Sequence, residues 1–455
     1  MKSSRWILFF GALGGLLYGV DQGVISGVLL FIENDIPLTS FMAGLVVSSL
    51  LFGAIIGSAG AGWLSDRIGR RKAISIIAVL FIIGSIASAL APDAFTLIIA
   101  RIINGLGVGG SMAIIPVYLA ELAPTHMRGK LTALYQLMLT IGILVSYVSN
   151  HLLAPFEAWR WMLAVSAIPG VIILAGIIFM PESPRWLLRK NQEGKARNIM
   201  ELFHKTDDIE NEIKAIKQVE NENSDSESAS TILKSKWMRP MLIVAILVGV
   251  FQQIVGINAV IYYAPTIFTQ AGMENSASTL GTMGIGLVNV LMTVVAIMTV
   301  DKLGRKKLLN IGSIAMSVSL IVLSLILFTS GLNASTAWFT VIFLGIYVMG
   351  FAVSWGAVTW VIIPELFPLK ARGAGTGIAI MGMSAANLIV TLVFPMLLDS
   401  IGIAWLFTIF AIIGIGSLGF VSAFVPETKG RSLEDIENDL RKDSVPISES
   451  LTADK

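Results

Sequence analysis

The chain has 455 residues, 55% hydrophobic and only 14% charged, with a mean hydropathy of +0.80. Soluble proteins carry about 25% charged residues, so this chain cannot cover its surface with polar groups and reads as a polytopic membrane protein. With no cysteine, disulfides, thiol chemistry and cysteine metal sites are excluded. The scattered histidines His126, His151 and His204 give no metal centre. No cofactor and no nucleic-acid partner are expected.

A helix needs about 20 apolar residues to cross a hydrocarbon core of about 30 Å. Twelve stretches qualify in chain order. The first six lie near 6–31, 40–64, 73–91, 95–120, 131–153 and 161–180. A polar segment over 181–238 follows, with charges at helical spacing between Arg185 and Lys217 and a linker-like run, Asn221–Ser230. The second six lie near 239–268, 278–300, 308–330, 338–363, 373–398 and 404–425. The expected architecture is all-α, with a six-helix bundle over 1–180, a cytoplasmic helical linker over 181–238, a second bundle over 239–428 and a tail over 429–455.

Lys and Arg collect on the cytoplasmic side of a membrane protein. If the N-terminus is inside, all but Arg101 and Arg160 of the 32 basic residues fall on that side. The opposite loops carry Glu33, Asp35, Asp93, Glu274 and Asp399 instead. Both termini are then cytoplasmic. The first span is long enough to cross and lacks a small-residue cleavage site, so no removable signal peptide is expected.

The two halves repeat. Glu121, Pro124, Arg128 and Gly129 recur as Glu365, Pro368, Arg372 and Gly373; Asp66 and Arg70 recur as Asp301 and Arg305. Pro181-Glu182-Ser183 recurs as Pro426-Glu427-Thr428. Two parallel six-helix halves are the architecture of a rocking transporter with its substrate held near the midplane. Glu121, Arg128, Glu365, Arg372, Asp66, Arg70, Asp301 and Arg305 are therefore expected to gate the inner face through Arg–carboxylate contacts. The alternative is that they anchor loops at the lipid headgroups.

The run from Gly62 to Arg71, GWLSDRIGRR, resembles the loop signature of the major facilitator superfamily. The runs Pro181–Leu187 and Pro426–Gly430 resemble the two signatures of its sugar porter family, and Gln252–Asn258 resembles that family's sugar-binding motif in the seventh span. The match runs from the first span to Leu440, and bacterial proton-coupled glucose and xylose porters are the nearest in pattern. The resemblance implies a monosaccharide and a proton as partners and a bilayer setting in the plasma membrane; a monomer is expected, and with no nucleophile–base pair, metal cluster or Walker motif in the sequence, no enzymatic activity is expected.

Ionisable residues inside a span are costly and point to function. Asp21 is the one acid well inside a span, and Arg101 the one deep base. A buried acid with a movable cation can exchange a proton as geometry changes; a static bridge tying two helices is the alternative. The resemblance favours the first, since proton-coupled porters have Asp at this position.

Sugar hydroxyls donate and accept, and so do Gln and Asn amides. The resemblance implies sugar contacts at Gln136, Gln252, Gln253, Asn258, Asn289, Trp360 and Asn387, with Tyr262 at a gating position. Gly256 would let the seventh span unwind. Ala357 stands where many members have Pro, which could alter the flexibility of the tenth span. Met383 and Ser384 stand where relatives place an amide and a Trp, and Ala352 where animal facilitators carry an acid. The expected function is symport of a monosaccharide, glucose first, with a proton by alternating access. A proton-independent uniporter, or a symporter for another pentose, hexose or polyol, is the alternative.

Overall fold

A computed structural model describes residues 2–122, 128–201, 209–210, 213–214, 238–368 and 371–429. The side chains of 2–12, 128–132, 301 and 334 lie outside that description, and with them those of Arg128 and Asp301. The linker-like run at 221–230 and the tail beyond Lys429 also lie outside it.

Among the described residues the chain is helical, with no strand. The first half holds α1 (Lys2–Phe31), α2 (Ser40–Ile68), α3 (Arg70–Ala89), α4 (Ala94–Leu122), α5 (Arg128–Leu153), α6 (Trp159–Val165) and α7 (Ala167–Ile177). The last two together form the sixth span. Helices α8 (Pro184–Arg189) and α9 (Glu193–Met200) belong to the linker. The second half holds α10 (Arg239–Ile254), α11 (Ile257–Gln270), α12 (Asn275–Leu303), α13 (Arg305–Ser330), α14 (Ala334–Val353), α15 (Trp355–Glu365) and α16 (Arg372–Phe424).

Two expected crossings run together in α16, whose 53 residues carry one non-helical position, Gly402, at φ 77° and ψ 166°. The positive φ reverses the chain in one residue, a conformation open to glycine. The stretch beyond it runs antiparallel to α13: Asn310 meets Ser422, Ser313 meets Ser417, and Ser324 meets Ala404 and Thr408. The chain therefore makes the twelve crossings expected.

Small residues let these helices approach closely, as is usual where membrane helices pack. Gly15, Gly19, Gly23 and Gly27 recur every four residues on α1 and face α5; a Cβ at any of them would collide with Tyr135, Leu139, Ser146 or Asn150. Gly53 and Gly57 of α2 and Gly105 and Gly109 of α4 do the same for that pair. Close helix approach is thus the reason for these eight of the chain's 43 glycines.

The duplicated motifs build two matching clusters at the basic end of the bundle. Arg70 donates to both carboxylate oxygens of Glu121 at 3.0 and 3.1 Å, and to Asp66 at 2.7 Å. Glu182 accepts the backbone N–H groups of Arg70 and Arg71, capping α3. In the second half Arg305 donates to both oxygens of Glu365 at 3.1 and 3.3 Å, and Glu427 caps α13 through the N–H groups of Arg305 and Lys306. The first cluster is more deeply buried: the Arg70 and Glu121 side chains are 6% and 9% exposed, against 12% and 29% for Arg305 and Glu365.

Removing one partner of a buried pair costs about 3–5 kcal/mol. Arg70→Ala is therefore expected to lower thermal stability by an amount in that range, and Arg305→Ala by less. Thermal unfolding of the two variants in detergent checks the order; equal losses would mean that burial does not set the cost.

The described start of the 181–238 segment, α8 and α9, is helical and lies on the first half. Trp186 Nε1 donates to the Asp66 carbonyl at 3.0 Å, and Arg189 meets the Asp66 carboxylate at 3.3 Å. Leu187, Leu188, Ala196, Met200, Ile209 and Ile213 form a small core of their own.

Candidate functional site

The seventh span supplies the densest set of buried amides because it is broken. Gly256 has φ +98° and interrupts the helix between α10 and α11. A Cβ there would also press into the Phe410 ring at 2.8 Å. The freed Val255 carbonyl accepts from the Tyr347 hydroxyl at 2.9 Å, so the break leaves this group satisfied. The local unwinding expected at Gly256 is present.

Around that break runs a continuous amide chain. Gln253 Nε2 donates to Gln252 Oε1 at 2.6 Å, and Asn258 Nδ2 donates to Gln253 Oε1 at 2.7 Å and to Asn387 Oδ1 at 2.9 Å. Thr391 Oγ1 donates to the same Asn387 oxygen at 3.2 Å. The four amide side chains come together from α10, α11 and α16, and all are buried. They satisfy one another, and each can exchange a partner amide for a hydroxyl group.

Among the described residues the other expected contacts are not hydrogen-bonded into that chain. Asn289 of α12 is buried, and its backbone carbonyl accepts from Thr293. Gln136 of α5 is half-buried, and Trp360 of α15 is 36% exposed, the most open residue of the set. Met383 points elsewhere: its Cβ lies 3.0 Å from where a Cβ at Gly249 would stand, so it packs α16 against α10. The tenth span breaks at Ser354. The Ala357 N–H donates to the Ser354 carbonyl at 3.2 Å, a bond that a Pro at 357 could not make.

Asp21 and Arg101 meet in the interior, each 1% exposed at the side chain. They are close without being tightly bonded. Arg101 Nη2 stands 3.6 Å from Asp21 Oδ2, while its Nε donates to the Val46 carbonyl of α2 at 2.8 Å. Asp21 takes its hydrogen bond from Asn104 Nδ2, at 2.5 Å on Oδ1. Asp21 Oδ2 and Arg101 Nη1 are buried without a hydrogen bond. The expected pair is thus present with its ion pair partly drawn apart.

Four residues at or beside the expected sites were not singled out by the sequence: Asn104, Gln22, Asn150 and Thr391. Gln22 Nε2 donates to Tyr18 at 2.8 Å and to Tyr262 at 3.2 Å, which joins the halves beside Asp21. Asn150 donates to the Gly23 and Val24 carbonyls of α1. Asn104 lies three residues past Arg101, on the same face of α4, and that spacing was the available signal.

The halves close on one another towards the acidic end. Hydrogen bonds between them include Gln22–Tyr262, Tyr147 to the Ile261 carbonyl at 2.8 Å, His151 with Thr279 at 2.9 Å, and Ser40 with Asp399. A Cβ at Gly44 would strike the Leu392 carbonyl at the same end. At the basic end the ion pairs described stay within each half: Glu121 bonds Arg70 and Glu365 bonds Arg305. Arg372 Nε is buried there without a hydrogen bond. The Arg70–Glu121 and Arg305–Glu365 pairs are therefore local in this state, and the face bonded between the halves, among the described residues, is the acidic one.

A family model described as "Sugar (and other) transporter" matches residues 7–440. The chain belongs to the sugar porter family of the major facilitator superfamily. Its members are transporters, not enzymes, and this chain is an integral membrane protein. It is 56% identical to the probable metabolite transport protein CsbC of Bacillus subtilis (strain 168), over 96% of this chain and 94% of that one. It is 50% identical to the glucose transporter GlcP of Staphylococcus epidermidis, over 97% and 98%.

Among solved structures, the partially occluded inward-open form of the xylose transporter XylE from E. coli matches with a TM-score of 0.83 at 32% identity, covering 95% of this chain and 100% of that one. The proton:xylose symporter XylE bound to 6-bromo-6-deoxy-D-glucose matches with a TM-score of 0.77 at 32% identity, covering 96% and 99%. This sugar porter thus lies nearer the inward-open form of that relative than its ligand-bound form, in keeping with a bundle bonded at the acidic end.

Proposed function

We propose that this sugar porter is a proton–monosaccharide symporter of the plasma membrane, with glucose as its first substrate and both termini in the cytoplasm. The observation that carries the reading is the Asp21–Arg101 pair: a fully buried acid and base, each with an unbonded atom. A buried pair retained only to tie helices would be expected to bond fully, since unpaired buried charge is costly. A pair that changes partners during a cycle must be loose in some of its states. The relatives GlcP and XylE are named for glucose and for proton:xylose symport, which supports both halves of the reading.

In this scheme the basic end faces the cytoplasm and the structure is the state open to it. Sugar enters from the acidic side in the alternate state and displaces the mutual bonds among Gln252, Gln253, Asn258 and Asn387. Gln136, Asn289 and Trp360 are proposed to complete the site, the indole face lying against the sugar's C–H surface. Tyr262 closes the path on the acidic side through its bond to Gln22. Protonated Asp21 with sugar bound permits reorientation; the ionised acid is held until a proton returns. When the basic end closes, Glu121, Arg128, Glu365, Arg372, Asp66, Arg70, Asp301 and Arg305 form contacts across the halves, Arg70–Glu121 and Arg305–Glu365 giving up their local pairs.

Competition in proteoliposomes tests the substrate. With an inward proton gradient, unlabelled glucose is expected to suppress labelled glucose uptake at lower concentration than xylose, galactose, arabinose or inositol. A protonophore should abolish the accumulation. A lower effective concentration for another sugar would reassign the substrate.

A further inference from the structure

We propose that Asn104 is a positioning residue of the proton site: its amide holds Asp21 Oδ1 while Arg101 is drawn away, leaving Oδ2 as the oxygen that takes and yields the proton. The inference rests on Asp21 being the proton carrier.

The hydrogen bonds assign the two oxygens different work. Oδ1 is occupied by Asn104 Nδ2 at 2.5 Å. Oδ2 is buried and accepts no hydrogen bond, and its nearest charged neighbour, Arg101 Nη2, stands 3.6 Å away. Arg101 is turned aside because its Nε bonds the Val46 carbonyl. Each member of the pair therefore has a substitute partner: a backbone oxygen for the cation, and a neutral amide for the acid. An amide donor serves both protonation states, because a neutral acid can still accept on its carbonyl oxygen. A guanidinium favours only the ionised one.

Asn104 is itself held in place. It is 1% exposed, and the backbone of α3 presses on it so closely that a Cβ at Gly84 would meet its backbone N and Cα at 2.5 and 2.6 Å. Ser85 Oγ donates to its Oδ1 at 3.4 Å, which directs the amide nitrogen towards Asp21. Other titratable groups facing Asp21 are Arg101 of α4, Tyr18 of α1 and Tyr262 of α11; Tyr135 of α5 faces Tyr18, and Tyr147 of α5 faces Tyr262. From α2 the site receives the Val46 carbonyl, and from α3 it receives Ser85 through Asn104. Arg160 of α6 lies at the acidic end, bonded to the Ala89 and Ala91 carbonyls. No second amide bonds Asp21 among the described residues.

A hydrogen bond donated to a carboxylate favours its ionised form. Removing the Asn104 donor while keeping the side chain's branching and heavy-atom count, as in Asn104→Leu, should make protonated Asp21 persist to higher pH. A bond to a charged group is strong enough to move a titration midpoint by roughly one to two pH units. Asn104→Asp should move it further, because two adjacent carboxyls resist sharing two negative charges.

The test is infrared titration of the full-length purified protein, reading the buried carboxylic-acid band that disappears in Asp21→Asn. In Asn104→Leu its midpoint is expected to rise by roughly one to two pH units. The pH profile of gradient-driven uptake should shift with it. Half-saturation in sugar counterflow should stay unchanged, since Asn104 makes no bond to the amide chain around Gln253. An unmoved midpoint in Asn104→Leu overturns the proposal. If that variant does not fold, Asn104→Ser, which shortens the donor, carries the same reading with a smaller upward shift. Failure of the underlying reading looks different: the wild type would show no proton coupling at all, or coupling would survive in Asp21→Asn, whatever Asn104 does.

Discussion

Asp21→Asn is expected to abolish accumulation of sugar against its gradient while leaving sugar exchange across the membrane near wild type. Asparagine has the shape of the protonated acid and carries no charge, so the variant mimics one protonation state permanently. Asn104 can still donate to its carbonyl oxygen, and Arg101 keeps its bond to the Val46 carbonyl. The site should therefore remain folded and the halves should still rock when sugar is bound. What is lost is the ability to tie reorientation to a proton. Counterflow with labelled glucose inside and unlabelled outside reads exchange; uptake under an imposed pH gradient reads accumulation. Loss of both would mean that Asp21 is structural, and retention of both would remove it from coupling.

Gln253→Ala is expected to weaken apparent sugar affinity by roughly 5- to 150-fold, with little effect on the direction of coupling. Gln253 is the middle of the amide chain, donating to Gln252 and accepting from Asn258. Truncation leaves a buried acceptor on one side and a buried donor on the other. Each unmet group costs about 1–3 kcal/mol, and 1.4 kcal/mol is tenfold in an equilibrium constant. Sugar would also have one fewer group to bond. Half-saturation concentrations from counterflow check this, and an unchanged value would remove the broken seventh span from the binding site.

The sequence reads most clearly where the membrane makes a residue expensive. A carboxylate and a guanidinium in the hydrocarbon interior carry a large penalty, so Asp21 and Arg101 stand out, and the fold brings them together. Asn104 is a cheap residue in the same setting, since any buried amide can find a helix neighbour, and so nothing but its spacing from Arg101 marks it. The duplicated charges show the other limit. Glu121 and Arg128 share a repeating spacing with Glu365 and Arg372, yet Glu121 bonds Arg70, 51 residues away, and Glu365 bonds Arg305. Spacing along a chain identifies the groups that matter; convergence of helix ends decides which of them pair.

The turns show the same division. Gly256 was legible as a break because it stands among polar residues in an apolar span, and it breaks the helix. Gly402 joins two crossings so tightly that their helices run together at one residue. The α6–α7 interruption falls where Pro169, with no N–H to offer the Val165 carbonyl, breaks the helical ladder, whereas the interruption at Ser354 has no proline in the turn that follows it.

The most direct test of proton coupling is the pH of a weakly buffered medium around proteoliposomes when glucose is added outside, with no gradient imposed. Sugar flowing inward through a symporter must carry protons with it, so the medium is expected to turn alkaline, and a protonophore should erase the change. An unchanged external pH during measured glucose entry would contradict the account and leave a uniporter.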